Sequence, residues 1–151
     1  MGRTRTPVVS GWFTEEAPDG GGFRLLGTRC SACTAVFFPR EDAYCRNPRC
    51  PGGEMAEVPL SARGRVWSCT DGRYRPPAPY VSDPAAPWEP YTLVAVELEA
   101  EGMVVLGQAA PGVTVADLAV GSEVEVVPGV LYEDADTTWT TWRFRPVGGA
   151  R

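Results

Sequence analysis

The sequence predicts an all-β chain, a small metal-stapled ribbon followed by a five-stranded barrel. Two close cysteine pairs, Cys30-Ser31-Ala32-Cys33 and Cys45-Arg46-Asn47-Pro48-Arg49-Cys50, lie in the first third of the 151 residues. Five segments that alternate apolar and polar side chains follow, and little of the chain carries helical spacing. A Greek-key barrel of the OB type closes such an inventory, with an open sandwich as the alternative that periodicity leaves standing. The expected organisation is an extended N-terminal arm at 1–22, a zinc ribbon at 23–57, the OB barrel at 58–147 and a tail at 148–151.

Residues 1–22 are rich in Gly, Pro, Thr and charge and end in Gly20-Gly21-Gly22. Such a segment either orders on a partner, through Trp12 and Phe13, or stays a floppy terminus. Two short strands, Phe23 to Arg29 and Ala35 to Pro39, make the ribbon. Cys30, Cys33, Cys45 and Cys50 then offer four thiolates from two tight turns, the set that a closed tetrahedral zinc site requires. Gly27, Pro48, Gly52 and Gly53 supply turn backbone, and Phe37 and Phe38 cover the ribbon. Disulfides are the competing reading. No secretory signal is read at the N-terminus, and close pairing in a cytosolic chain favours metal. A catalytic zinc keeps an open position and usually a His or carboxylate ligand, and the chain has no His, so the zinc is read as structural.

In the barrel, Gly64 to Thr70 alternates, with Val66, Ser68 and Thr70 expected on one face and Arg65, Trp67 and Cys69 on the other. Arg75 to Pro90 is too rich in proline for regular structure, and Pro76-Pro77-Ala78-Pro79-Tyr80 reads as a stiff extended loop. Tyr91 to Ala100 is the clearest strand, with Thr92, Val94, Val96 and Leu98 inward and Glu97 and Glu99 outward. Glu101-Gly102 is a hairpin turn and Met103 to Ala109 the return strand. Val115 to Val120 reads as one helical turn before Gly121. Glu123 to Val127 buries Val124 and Val126, and Thr138 to Pro146 closes the barrel with Trp142 and Phe144 on one face and Trp139, Thr141 and Arg143 on the other.

Composition narrows the chemistry. The chain contains neither Lys nor His. Schiff-base chemistry and Ser–His or Cys–His nucleophile pairs are therefore absent, and no motif arranges Asp, Glu, Tyr or Cys as a catalytic set. The expectation is a protein that is not an enzyme on its own. Residues 1–75 hold eleven Arg against eight acids, a net of +3, while residues 76–151 hold three against eleven, a net of −8. That polarity suits a partner surface or an anionic ligand near the basic half. No apolar run reaches membrane-spanning length, and a soluble, cytoplasmic protein is expected.

Several stretches in order resemble a known family of acyl-CoA-associated proteins. They are Leu25 to Cys33, Phe38-Pro39, Pro59 to Ser68, Pro76 to Tyr80, Glu89-Pro90-Tyr91 with the strand ending Val96-Glu97-Leu98, and Leu118 to Val126. The family joins a rubredoxin-like zinc ribbon to an OB-fold and is long catalogued as a domain of unknown function; the resemblance spans roughly residues 23–147. It implies a non-catalytic accessory subunit of thiolase-like enzymes, including thiolases and lipid-transfer-type aldolases. Such a subunit stabilises a hetero-oligomer and helps form its CoA or acyl-CoA surface. Three positions depart from the family's usual pattern: Thr34 where Gly is common, the four-residue spacing of the second cysteine pair, and Cys69 where an aromatic residue is frequent. Cys69 is read as a half-buried strand thiol.

Arg63, Arg65, Arg73 and Arg75 are candidate CoA-phosphate ligands, because guanidinium pairs bidentately with phosphate; a solvated or partner-paired cluster is the plainer reading. Trp12, Phe13, Tyr74, Pro77, Tyr80 and Trp88 are candidate partner-interface residues. Trp139 and Trp142 are expected to divide core and interface roles between them. The alternative function is a single-stranded nucleic-acid-binding zinc-ribbon/OB module, disfavoured by the acidic barrel half. Rubredoxin-like iron electron transfer is weaker still, because the second cysteine spacing departs from a tight redox site.

Overall fold

The computed structural model describes residues 2–18, 20–77 and 80–148, in which every regular element except a single 3₁₀ turn at Val115–Asp117 is a strand. The strands are β1 (Thr4–Pro7), β2 (Phe13–Thr14), β3 (Arg24–Cys30), β4 (Val36–Phe37), β5 (Met55–Pro59), β6 (Arg63–Gly72), β7 (Tyr91–Leu98), β8 (Val104–Ala109), β9 (Glu123–Glu133) and β10 (Thr137–Pro146). Ala78, Pro79 and nearly all of the 148–151 tail lie outside the described residues.

Five strands close the barrel. β6, β7 and β8 form an antiparallel meander, β9 pairs with the start of β6, and β10 pairs antiparallel with β9 and parallel with β8. Closure removes the sheet edges that would otherwise invite pairing with other chains. The alternation of β7 does what its sequence predicts: Thr92, Val94, Val96 and Leu98 are buried while Glu97 and Glu99 face water. Val66, Val105, Val124, Val126 and Phe144 complete the interior, with Phe144 the largest fully buried side chain. Gly102, at φ +68°, turns the β7–β8 hairpin in the left-handed region that glycine tolerates.

Ribbon and barrel share one core. β3 pairs antiparallel with β2, β4 and β5, and its Leu25, together with Leu60 just after β5, is fully buried in the same cluster as the barrel valines. β5 runs through Pro59, so the ribbon's sheet extends past the expected division at residue 57.

The N-terminal arm is ordered within this chain. β1 lies parallel to β10, Thr4 opposite Thr137 through Pro7 opposite Thr140, where β10 has not yet reached its pairing with β8. Trp12 and Phe13 pack around Trp142, with ring centroids 6.1 and 6.0 Å away, and Phe38 meets Trp142 edge-on at 5.8 Å. Arg40 ties the same region together. It donates to the Gly11 carbonyl, and its guanidinium lies 2.7 Å from Glu57 and 2.8 Å from Asp42.

Three sequence expectations change. A bulge between Val66 and Ser68 moves Cys69 opposite the buried Val94, half-buried against the core, and leaves Ser68 and Thr70 outside. β9 continues to Glu133 through Pro128, which a central strand would reject. Its pairing with β6 ends at Glu125, so Pro128 sits where one side of the strand is open and no donor is missed. The helical turn shrinks to Val115–Asp117, closed by a capping box in which the Asp117 carboxylate accepts from the Thr114 amide at 2.8 Å.

Candidate metal centre and the barrel surface

The four cysteines converge. Their Sγ atoms all lie within 4.8 Å of one another, with Cys30–Cys50 and Cys33–Cys45 each separated by 3.6 Å. A tetrahedron of zinc–sulfur bonds of about 2.3 Å has sulfur–sulfur edges of about 3.8 Å, so the spacing fits zinc and is far too long for a sulfur–sulfur bond. β3 delivers Cys30 to the turn; Cys45 and Cys50 come from the long connection before β5.

Backbone amides finish the donor set. The amides of Ala32, Asn47 and Gly52 point at the sulfurs of Cys30, Cys45 and Cys50 at 3.4, 3.4 and 3.3 Å, each two residues on from its cysteine. The Ala35 amide and then Asn47 bring the Cys33 thiol down to about 6, and the Cys33 and Ala32 amides lower that of Cys30. At Cys45 the Asn47 amide pulls downward but is outweighed by burial and the neighbouring sulfurs, which push the thiol up to about 12; Cys50 is raised in the same way against the Gly52 amide. Four thiolates this close need a cation to coexist, which is what a divalent metal supplies. Thr34 holds φ +64° in the turn after Cys33, the conformation in which Gly is the usual residue. At Gly53 a Cβ would meet the Ala32 amide nitrogen at 2.7 Å and the Cys30 sulfur at 2.9 Å, so only glycine lets this turn close over the cluster. With four protein sulfurs and no position left for water, the centre is structural in kind.

The arginines do not converge. Arg63 and Arg65 sit at the start of β6, Arg63 within 3.9 Å of Glu123 and Glu125 and Arg65 donating to the Gly121 carbonyl. Arg73 pairs with Asp71 at 3.1 Å past the other end. At about 3.3 Å per residue, Arg65 and Arg73 are roughly 26 Å apart. Arg75 is turned inward. It holds the loop by donating to Ser82, Asp83 and Ala86, and its guanidinium carbon lies 5.3 Å from the Trp88 ring centroid.

The aromatic candidates also separate. Tyr74 is 88 % exposed and Pro77 is exposed beside it, whereas Tyr80 and Trp88 pack edge-to-face, as do Trp88 and Tyr91. Of the two late tryptophans, Trp142 fills the seam between ribbon and barrel and Trp139 stands half-exposed opposite Tyr132. Trp67, on the outer face of β6 with Arg65, is 62 % exposed.

Tyr80 and Trp88 help line a cleft of about 540 Å³ between the 75–90 loop, the end of β8 and the β9–β10 hairpin. Sequence reasoning missed Gln108 and Arg143 in its wall. The available signal was an arginine, Arg143, set between Trp142 and Phe144 in a Thr- and Trp-rich strand, where a buried cation needs a reason.

Comparison with known proteins agrees with the geometry. Residues 23–56 match the rubredoxin-like zinc ribbon domain of ChsH2. Over 126 residues the chain is 32% identical to a DUF35 domain-containing scaffold protein of Methanocaldococcus jannaschii, covering 82% of each chain. It is 31% identical over 136 residues to the benzoylsuccinyl-CoA thiolase subunit BbsA of Thauera aromatica, covering 87% of this chain and 83% of that one. Among solved structures, the Ltp2–ChsH2(DUF35) aldolase superposes with a TM-score of 0.56 at 26% identity, covering 82% of this chain and 84% of that chain. No helix among the described residues is long and apolar enough to cross a membrane. With a four-cysteine ribbon packed on a closed five-stranded barrel, and with relatives at this identity over four-fifths of its length, the chain belongs to the DUF35 family of zinc-ribbon/OB proteins.

Proposed function

We propose that this chain is a non-catalytic accessory subunit of a thiolase-like enzyme acting on acyl-CoA, a thiolase or a lipid-transfer-type aldolase. One observation carries the reading: the similarity runs over four-fifths of the chain to proteins named as a scaffold and as a thiolase subunit. The absence of Lys and His agrees with it, since the usual bases and nucleophile pairs must then come from a partner. The exposed Tyr74 and Pro77 form a stiff, aromatic edge suited to a partner groove, whereas Trp12 and Phe13 are used inside the chain. A CoA phosphate at the joint surface would meet either the Arg63–Arg65 end of β6 or Arg73, and Arg75 would act by holding the loop.

The test is an affinity pull-down of the tagged chain from its native host, with mass spectrometry and nucleic-acid absorbance on the same eluate. A stoichiometric thiolase-like protein is expected. Nucleic acid without such an enzyme would replace this reading with the single-strand-binding one. In the assembled complex, Arg73→Gln and Arg65→Gln are compared for acyl-CoA affinity; unchanged values in both would remove the arginines from the CoA surface.

A further inference from the structure

The cleft beside the 75–90 loop has the composition of a ligand site rather than of a packing defect. Its volume of about 540 Å³ lies within the range of small-molecule sites. Arg143 reaches it from β10, directly opposite Gln108 in the parallel β8–β10 register. The guanidinium donates to Gln108 Oε1 at 2.8 Å, to the Ala109 carbonyl at 3.3 Å and to the Val130 carbonyl at 2.9 Å. All three acceptors are neutral, and among the described residues no carboxylate pairs with it. A half-buried cation without a counter-ion is costly, and burial lowers its pKa accordingly.

The hydrogen bonds then fix which groups face a ligand as donors. Because Gln108 Oε1 accepts from Arg143, its Nε2 donates, and it does so to the Tyr80 hydroxyl at 2.9 Å. The Tyr80 oxygen is thereby used as an acceptor, leaving its own proton to give away. Arg143 keeps an unused N–H on Nη2, whereas its Nε packs against Gly129, where a Cβ would come within 2.6 Å. Donors and a positive charge thus line the same cleft as the flat rings of Trp88 and Tyr91, with Tyr80 packed edge-on against Trp88. The acids along the cleft are placed otherwise: Asp71 pairs with Arg73, Asp83 accepts from the Ala85 amide, and Glu89 is exposed.

We propose that this cleft binds a small organic carboxylate with a planar apolar body, its carboxylate on Arg143 and Tyr80 and its body against Trp88 and Tyr91. The proposal stands on the cleft alone and does not depend on the identity of a partner enzyme. The sequence places Arg143 only on the strand face it shares with Trp139 and Thr141, and none of the relatives' names mentions such a site.

The test uses the zinc-loaded full chain and benzoate as the probe, followed through the indole N–H resonance of Trp88, which donates to the Gly72 carbonyl at the cleft wall. Saturable shifts in the millimolar range or below are expected. Benzyl alcohol, the neutral counterpart, should bind at least tenfold more weakly, and inorganic phosphate, which has no apolar body to set against Trp88 and Tyr91, should not displace benzoate at equal concentration. Arg143→Gln should weaken benzoate about tenfold and Tyr80→Phe a few-fold. If Arg143→Gln does not fold, Tyr80→Phe and Gly129→Ala, which displaces the guanidinium while keeping its charge, decide the matter. Absence of saturable binding, equal binding of benzyl alcohol, displacement by phosphate, or unchanged affinity in the folded variants each overturns the proposal.

Discussion

Replacing Gly53 by alanine tests the metal centre without touching a ligand. The new Cβ would lie 2.9 Å from the Cys30 sulfur and 2.7 Å from the Ala32 amide nitrogen, where ordinary contact begins at 3.4 Å. The sulfur is thus crowded by about 0.5 Å, more than the roughly 0.2 Å within which metal–ligand distances hold. Nor can the Ala32 amide retreat freely, because it points at the same sulfur at 3.4 Å. Overpacking of this kind costs about 1–3 kcal/mol, and here it falls largely on the metal-bound geometry. At 1.4 kcal/mol per decade, zinc affinity should drop about 10- to 100-fold. Competition with a chromophoric chelator measures it at neutral pH, with Cys69→Ser as the control for a change elsewhere. Affinity within about threefold of the parent would refute the reasoning, because the turn would then have closed over the cluster with a Cβ in place.

Cys45→Ser should lose stoichiometric zinc while Cys69→Ser keeps one zinc per chain, as read by metal analysis of the purified proteins. Phe144→Ala, which empties the largest buried position, should cost about 3–5 kcal/mol in denaturant unfolding; under 1 kcal/mol would mean the barrel core is not where it is drawn. Asp134 accepts from the Asp136 and Thr137 amides, which hold its carboxyl below the usual carboxylate value. Its folded pKa is depressed, so its contribution is present above the unfolded value near 3.8 and is lost as pH falls through the folded one. Asp134→Asn keeps an acceptor but cannot titrate, so its melting temperature should fall less steeply than the parent's between pH 5 and 3; parallel curves would contradict this. Trp142→Ala should loosen Trp12 and Phe13 together, visible as earlier proteolysis within residues 8–22.

The sequence was most informative where one local rule suffices. Cysteine spacing located the metal centre because a tetrahedral site needs two tight turns and little else. Period-two alternation located β7 because one face is fully buried. It failed where the deciding neighbour is remote. Ser68 faces solvent and Cys69 turns inward because of one bulged residue, which alternation cannot show. Pro128 ends a strand by local rule, yet β9 runs through it because β6 has already left that side. The arm reads as a segment that waits for a partner or stays loose, because β10, the strand it pairs with, lies more than a hundred residues away. The four arginines looked clustered because they are close in sequence, but an extended strand drives them apart, while Arg143 meets Gln108 and Tyr80 from separate elements.

The parallel pairing of β1 with β10 sets Thr4 beside Thr137, 133 positions along the chain, and β10 also bridges β8 and β9. Contacts of such separation are entropically expensive to nucleate and slow the search for the native topology. During synthesis the residues of β1 emerge long before the strand they need. Until β10 arrives, the barrel has open edges at β8 and β9, and Phe13 and Trp12 lack the ring they pack on. A nascent chain of this architecture therefore spends its synthesis with sticky edges unguarded, and the final strand completes the arm, the seam and the barrel together.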